Sequence, residues 1–318
     1  MIDILLSTDK KYIMPTGVTM KSISMNNKEV TFHILIDDGV TEKQKQQLTA
    51  IIQGHKMQNI CFYKLDSKSF KNFPSLGKIK SYITIATYYR LFITEVLPQS
   101  IKQILYLDGD VINVKPLDDL WNIDISKYAL GAVTDMAESK HDFVRLGYDS
   151  SKGYFNAGVL LINLDYWRRN NLKQKFMDLI LFHPEKIVLH DQDVLNICLY
   201  DMKKCLPMKY NVQNGFLWEQ KYNQFGDKYT DYEDDLKSAV TDPVIIHFTD
   251  NKKPWHVEDC NPLSYEWFKY FKQTEWKYIP LGHCNKSKVR YIVAKVLRKL
   301  KLIPNAITDE YKYKEFFN

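Results

Sequence analysis

No glycine-rich phosphate loop follows the first apolar segment of this chain: neither a G-x-G-x-x-G nor a Walker pattern occurs after residues 2–7. Any nucleotide must therefore be held by other means. No run approaches the roughly 18 consecutive apolar residues of a membrane-spanning helix. The opening stretch, Met1 to Ser7, lacks the basic n-region of a signal peptide and reads as a first strand. Cysteine is scarce. The five present, Cys61, Cys198, Cys205, Cys260 and Cys284, are odd in number and scattered without metal-ligand spacing, so a reduced, cytosolic compartment is expected. The net charge of +6 is too small to name a partner.

What is present is a full complement of core-forming residues. At 318 residues, 45% hydrophobic and 26% charged, the chain is long enough for one large α/β domain or two smaller ones. Beyond that first strand, which runs out at Ser7-Thr8-Asp9, strands are predicted at residues 30–36 and 59–65. Helical stretches lie between them, the second running from Thr41 as N-cap to Ile52. This alternation predicts parallel pairing and a doubly wound sheet.

The central stretch is ILYLDGDVI, residues 104–112: an apolar strand that breaks at its C-terminal edge with two acids exposed. Ligands bind open α/β sheets at such edges. On a regular strand Asp108 and Asp110 would project the same way, roughly 7 Å apart at Cα, and one cation could take an oxygen from each. Taken alone, the tripeptide is more simply an Asp-Gly turn with solvated acids.

Other segments raise similar alternatives. Residues 82–96 (YITIATYYRLFITEV) read as a buried helix, in which Arg90 needs an anion; an internal salt bridge would serve. Residues 129–135 form a short strand ending in Asp135. Asn156-Ala157-Gly158 reads as a small-residue turn entering an apolar strand, open to close approach of a ligand. His190-Asp191-Gln192-Asp193 opens a helix, where capping accounts for one of the polar side chains but not three. His247 lies next to last in a short strand at residues 244–248, a position a satisfied structural histidine could also fill.

Four blocks, ILYLDGDVINVKPLDDLW, YFNAGVLLINLDYWR, HDQDVLN and IIHFTDNKKPW, occur in this order. Together they resemble glycosyltransferase family 8, in the branch of bacterial lipopolysaccharide galactosyl- and glucosyltransferases, and the likeness extends from Ile2 to Trp255. The resemblance implies a GT-A fold, Rossmann-like, with a mixed, mainly parallel sheet flanked by helices. It implies a UDP-sugar donor and an Mn²⁺ ion, with Mg²⁺ as the alternative, held by Asp108, Asp110 and His247. Two carboxylates and one imidazole suit Mn²⁺ better than ions that favour all-oxygen shells.

By the same resemblance, Lys253 would meet the diphosphate and Asp9 the uracil. Arg90, Asp135, Asn156 and Ala157 would hold the sugar, Gly109 would lie between the paired acids on the donor, and Asp191 and Gln192 would lie beneath the reacting carbon. Two positions depart from the pattern: Lys11 stands where related chains carry Asn, and Asp250 where they carry Gly. The family retains anomeric configuration. Gln192, an amide, is a poor nucleophile, which favours front-face displacement over a covalent intermediate.

The expected division is a GT-A domain over residues 1–274 and a basic C-terminal segment over 275–318. Lys286 to Lys301 contains seven Lys or Arg and no acid, and its apolar residues recur at helical spacing. It reads equally as a helix packed on the protein or as a peripheral contact with the inner face of the cell membrane; tails of similar enzymes with lipid-linked acceptors favour the second. Two rival functions stay open: a self-glycosylating primer of the glycogenin kind, for which 21 tyrosines offer acceptors, and a non-catalytic basic binding module. Nucleic acid is not an expected partner, because phosphate binding would not need Asp108, Asp110, His247 and Gln192 together.

Overall fold

The computed structural model describes residues 1–64, 85–218, 229–259, 261–283 and 296. Alternate residues along its strands face opposite ways, and in the central strands both faces are buried. Ile4, Leu6, Leu105 and Leu107 enter one core, and Leu5, Ile104 and Tyr106 enter the other. Burial on both sides explains why these strands read as continuous apolar runs.

The main sheet has seven strands in the order β3-β2-β1-β4-β7-β6-β8. They span Ile2–Thr8 (β1), Val30–Ile36 (β2), Gln58–Lys64 (β3), Gln103–Leu107 (β4), Leu130–Thr134 (β6), Phe155–Asn163 (β7) and Lys203–Cys205 (β8). β1 pairs in parallel with β2 and β4, and β2 with β3. β7 runs antiparallel to both β4 and β6. The sheet is therefore mixed and mainly parallel, as the GT-A resemblance implies; the strand–helix rhythm alone did not foresee the reversed strand. A smaller sheet, β5-β10-β9, joins Val111–Asn113 (β5), Val212–Gln213 (β9) and Ile245–His247 (β10).

Two segments differ from expectation. Residues Ile85–Phe92 form a 3₁₀ run, followed by one α-helical turn at Ile93–Val96, where a single helix was expected. Residues 82–84 lie outside the described residues. Asn156-Ala157-Gly158 is no turn: it lies within β7, all nine residues of which are buried.

Strand order reverses between β1 and β4, and the C-terminal ends of these two strands frame the crevice where such sheets take ligands. The helix Ile13–Asn26 braces this rim. Its Thr19 hydroxyl lies 2.8 Å from the carbonyl of Val111 and 3.1 Å from that of Gly109, fixing the turn between β4 and β5.

The packed body continues past residue 274. Trp276 is buried in the main core against Gly17, where a Cβ would fall 2.2 Å from the indole ring. His256 and Gly282 form a β-bridge. The expected basic helix over 287–302 lies outside the described residues, except for Val296, which is helical and exposed.

Candidate active site

Asp108 follows the last residue of β4, two positions after Tyr106 on the same face. The Tyr106 hydroxyl donates to Asp108 Oδ1 (2.7 Å). Arg90, 5% exposed, lies over the Tyr106 ring at 4.1 Å. Its Nη2 donates to Asp108 Oδ1 (2.7 Å), its Nη1 to the Ala157 carbonyl, and its Nε lies 2.9 Å from Asp191 Oδ2. Burial would depress the guanidinium pKa, but Asp108 and Asp191 outweigh it and keep Arg90 charged. The buried arginine thus has two anions, one from each end of the site.

The chain turns at Gly109 and Asp110 before β5, so the two acids do not share a regular strand. The turn nonetheless brings their carboxylates to His247, and one ligand atom from each of the three residues lies within 4.8 Å of the others. His247 Nε2 is 3.4 Å from Asp110 Oδ1 and 3.8 Å from Asp108 Oδ2. The Lys253 ammonium donates to Asp110 Oδ2 (2.7 Å). Burial would raise the Asp110 pKa, but the surrounding charges, the Lys253 ammonium foremost, more than offset it and hold the carboxyl well below the usual range. Asp110 Oδ1 is buried with no hydrogen-bond partner among the described residues.

An anionic oxygen buried without a donor is costly, and a cation between the three ligand atoms would satisfy it. Gly158 keeps that space open. A Cβ there would fall 2.1 Å from His247 Cε1 and 2.9 Å from Asp108 Oδ2. The donor set and the space therefore fit a divalent metal with mixed oxygen and nitrogen preference. Gly158→Ala is expected to weaken Mn²⁺ binding by at least about ten-fold, a loss of the size seen when the support of a metal ligand is disturbed. Calorimetric titration of the metal checks it.

Beside this cluster lies a second group built around Asp135, at the end of β6. Its Oδ1 accepts from the Ala137 N–H (2.9 Å) and lies 3.2 Å from His141 Nε2. Its Oδ2 accepts from Asn156 Nδ2 (3.1 Å) and Gln192 Nε2 (3.2 Å). Burial works against its ionisation, but His141 and these donors outweigh it and hold the pKa low. Gln192 Oε1 accepts from the Ala157 N–H (2.9 Å), so the amide is oriented at both ends.

Asp191 and Gln192 occupy the first turn of the helix His190–Leu199, and Asp193 anchors that turn. Fully buried, Asp193 accepts from the N–H groups of Val188 and Leu189, the Tyr154 hydroxyl and Arg145 Nη1. Of the polar side chains in this motif, Asp193 is the structural one. It holds the approach to His190, whose φ of 52° is left-handed.

Burial pushes the Asp191 pKa up to about 7, with Arg90 opposing and the charges of Asp108 and Asp193 adding to the rise. The folded chain therefore binds this proton more tightly than the unfolded chain between about pH 4 and 7. The resulting stabilisation is complete below pH 4 and fades as pH rises through 7. Asp191→Asn, fixed in the neutral form, should raise the melting temperature at pH 8 and leave it nearly unchanged at pH 4 in metal-free protein. Thermal scans across that range test this.

The remaining expected residues also fall at the rim. Asp9, just beyond β1, accepts from the N–H groups of Lys11 (2.8 Å) and Tyr12 (3.0 Å). Lys11 is exposed; it reaches Asp9 through its backbone. Asp250 is also exposed, and its carboxylate takes the Asn251 N–H. Gly109 lets the turn approach the helix Ile13–Asn26: a Cβ would fall 2.8 Å from the Thr16 hydroxyl. Tyr12, whose hydroxyl lies 3.4 Å from Asp110 Oδ2, and Tyr106, His141 and Asn211 belong to the site without having been singled out from sequence, and Gly158 was read there only as part of a small-residue turn. Tyr106 was accessible through its alternation with Asp108; His141 and Asn211 lie in irregular segments with no periodic signal.

An acid–acid–imidazole cluster at the switch point of a mixed open sheet is the layout of a GT-A glycosyltransferase. The chain belongs to glycosyl transferase family 8, whose pattern matches residues 3–259. It is 30% identical over 302 residues to a lipopolysaccharide 1,2-glucosyltransferase of Escherichia coli, covering 90% of this chain and 84% of that one. It is 29% identical over 279 residues to general stress protein A of Bacillus subtilis, covering 85% of this chain and 93% of the other. Among solved structures, it resembles the galactosyltransferase LgtC in complex with donor and acceptor sugar analogues. That likeness has a TM-score of 0.76 at 26% identity, covering 86% of this chain and 96% of that one.

Proposed function

We propose that this glycosyltransferase is a retaining, Mn²⁺-dependent enzyme that moves glucose or galactose from a UDP-sugar to a saccharide acceptor. The acceptor class is a bacterial cell-surface glycan such as lipopolysaccharide, free or lipid-linked. The observation that carries the reading is the convergence of Asp108, Asp110 and His247 around a buried carboxylate oxygen that has no hydrogen-bond partner among the described residues. When bound there, the metal would neutralise the diphosphate and stabilise it as a leaving group.

The chain's own residues supply the rest. Lys253, reaching the same cluster, is placed to neutralise diphosphate charge, and Asp9 at the end of β1 is placed to read the base. Arg90, Asp135, Asn156 and Ala157 line the sugar side. The glycosyl C1–O bond to UDP breaks, and the acceptor oxygen attacks C1 on the same face. The acceptor proton passes to the departing phosphate oxygen. Gln192 and Asp191 orient the sugar and support its developing positive charge; Gln192 itself forms no bond to carbon.

Gln192→Ala should therefore lower kcat by roughly ten- to a hundred-fold, the weight of one hydrogen bond to a charged group, with transfer still measurable. Steady-state kinetics provide the check. A glycosyl adduct on Asp191 or Asp193 in the mass spectrum would overturn front-face displacement.

Among the described residues no helix is long and apolar enough to cross a membrane. Contact of the basic C-terminal segment with the inner face of the cell membrane, where a lipid-linked acceptor would lie, belongs to this proposal. Liposome binding that survives truncation before Asn285 counts against it.

UDP release over a panel of UDP-sugars, with Mn²⁺ and with chelator, tests the function itself. Mn²⁺-dependent hydrolysis of one donor, with the protein's own mass unchanged, supports it. Silence across the panel together with no heat of UDP binding overturns it, and sugar added to the protein's own tyrosines favours the self-glycosylating alternative.

A further inference from the structure

We propose that Asn211 is a positioning residue of the metal centre: with Asn156 it holds His247 in the tautomer that offers its Nε2 lone pair to the cation. The proposal rests on the metal-centre reading above. The direction of every hydrogen bond in the line is fixed by chemistry, beginning at a backbone N–H, which can only donate.

The Gly158 N–H donates to Asn156 Oδ1 (3.0 Å), so the oxygen end of that amide faces β7 and its Nδ2 faces Asp135 Oδ2 (3.1 Å). The carboxylate accepts, in agreement with this orientation. Asn211 Nδ2 donates to the same Asn156 Oδ1 (2.9 Å). Its own oxygen is thereby turned toward His247 Nδ1, at 2.9 Å. An amide oxygen has no proton to give, so Nδ1 must carry one, and in the neutral ring Nε2 is left as the acceptor.

That nitrogen is the one facing Asp110 Oδ1 and Asp108 Oδ2. Asn156, Asn211 and His247 are 7%, 0% and 4% exposed, so water does not compete for these bonds. Without Asn211 the carboxylates would draw the proton to Nε2, and a protonated nitrogen cannot ligate a metal. Ligating histidines generally need such a partner on the second nitrogen, and its loss typically weakens metal affinity 10- to 100-fold.

The first test needs no variant. In ¹⁵N-histidine NMR of the metal-free, full-length protein at pH 8, the His247 ring, assigned by its absence from His247→Gln, should carry its proton on Nδ1. A proton on Nε2 overturns the proposal. In Asn211→Leu the proton should move to Nε2, and Mn²⁺ affinity, read from the EPR signal of free Mn²⁺, should fall about 10- to 100-fold. Asn211→Asp, which keeps an acceptor toward Nδ1, should restore the wild-type tautomer.

Asp110→Asn separates the two levels. Mn²⁺ binding indifferent to Asp110→Asn sinks the metal-centre reading and the proposal with it. Binding that depends on Asp110 but ignores Asn211→Leu sinks the proposal alone.

Discussion

If the proposed function holds, Asp110→Ala should reduce UDP-sugar turnover by about a thousand-fold or more and abolish saturable Mn²⁺ binding, the largest activity loss expected of any single change in this site. The carboxylate supplies one of three converging ligand atoms, and its buried Oδ1 has no other partner among the described residues. A metal that neutralises a diphosphate leaving group contributes several kcal/mol to the transition state, and each 1.4 kcal/mol is about ten-fold in rate. The same change alters acid stability. Because the Asp110 pKa is held low in the fold, its contribution is present above the unfolded value near 4 and is lost as pH falls below it. The variant should show a shallower loss of stability on acidification. Turnover within ten-fold of wild type would remove this residue from the reaction.

Arg90→Met should destabilise the metal-free fold by about 3–5 kcal/mol, the cost of removing one partner from a buried ion pair and leaving the other charged. Methionine roughly preserves the packing over Tyr106, so the loss reports the charge and its hydrogen bonds. Two acids lose their counter-ion at once. Asp191 can take up a proton near neutral pH, whereas among the described residues Asp108 keeps the Tyr106 hydroxyl and its distant contact with His247. Urea denaturation at pH 8 measures the effect, and adding Asp191→Asn should recover part of it. A loss below about 1 kcal/mol, typical of exposed pairs, would contradict this account.

Much of the site could be read from sequence because its residues sit at the ends of short, strongly patterned strands. Asp108 closes an apolar run, and His247 closes another. The internal salt bridge weighed for Arg90 is also what the structure contains, its anions being two of the expected site residues. The direction of β7 was not legible from its own residues, since an apolar run reads the same whichever way it pairs. The 3₁₀ run at Ile85–Phe92 escaped for a related reason: a short, largely apolar run does not by itself distinguish one helix type from another. Asn211 follows a single 3₁₀ turn, and only its three-dimensional partners reveal its purpose.

The reversed strand also determines when the site can exist. Because β7 runs against β4, its first residues meet the last residues of β4, and the Asp108 N–H bonds to the Gly158 carbonyl. The imidazole arrives on β10, which pairs antiparallel with β5 only after the chain has passed residue 245. Such contacts are long in sequence, and closing them is the slow part of folding. A chain emerging from the ribosome as far as β7 would hold both aspartates and Arg90 but neither Asn211 nor His247. Metal capture at the proposed centre would thus wait until the core is nearly complete, and a bound ion would report a finished fold.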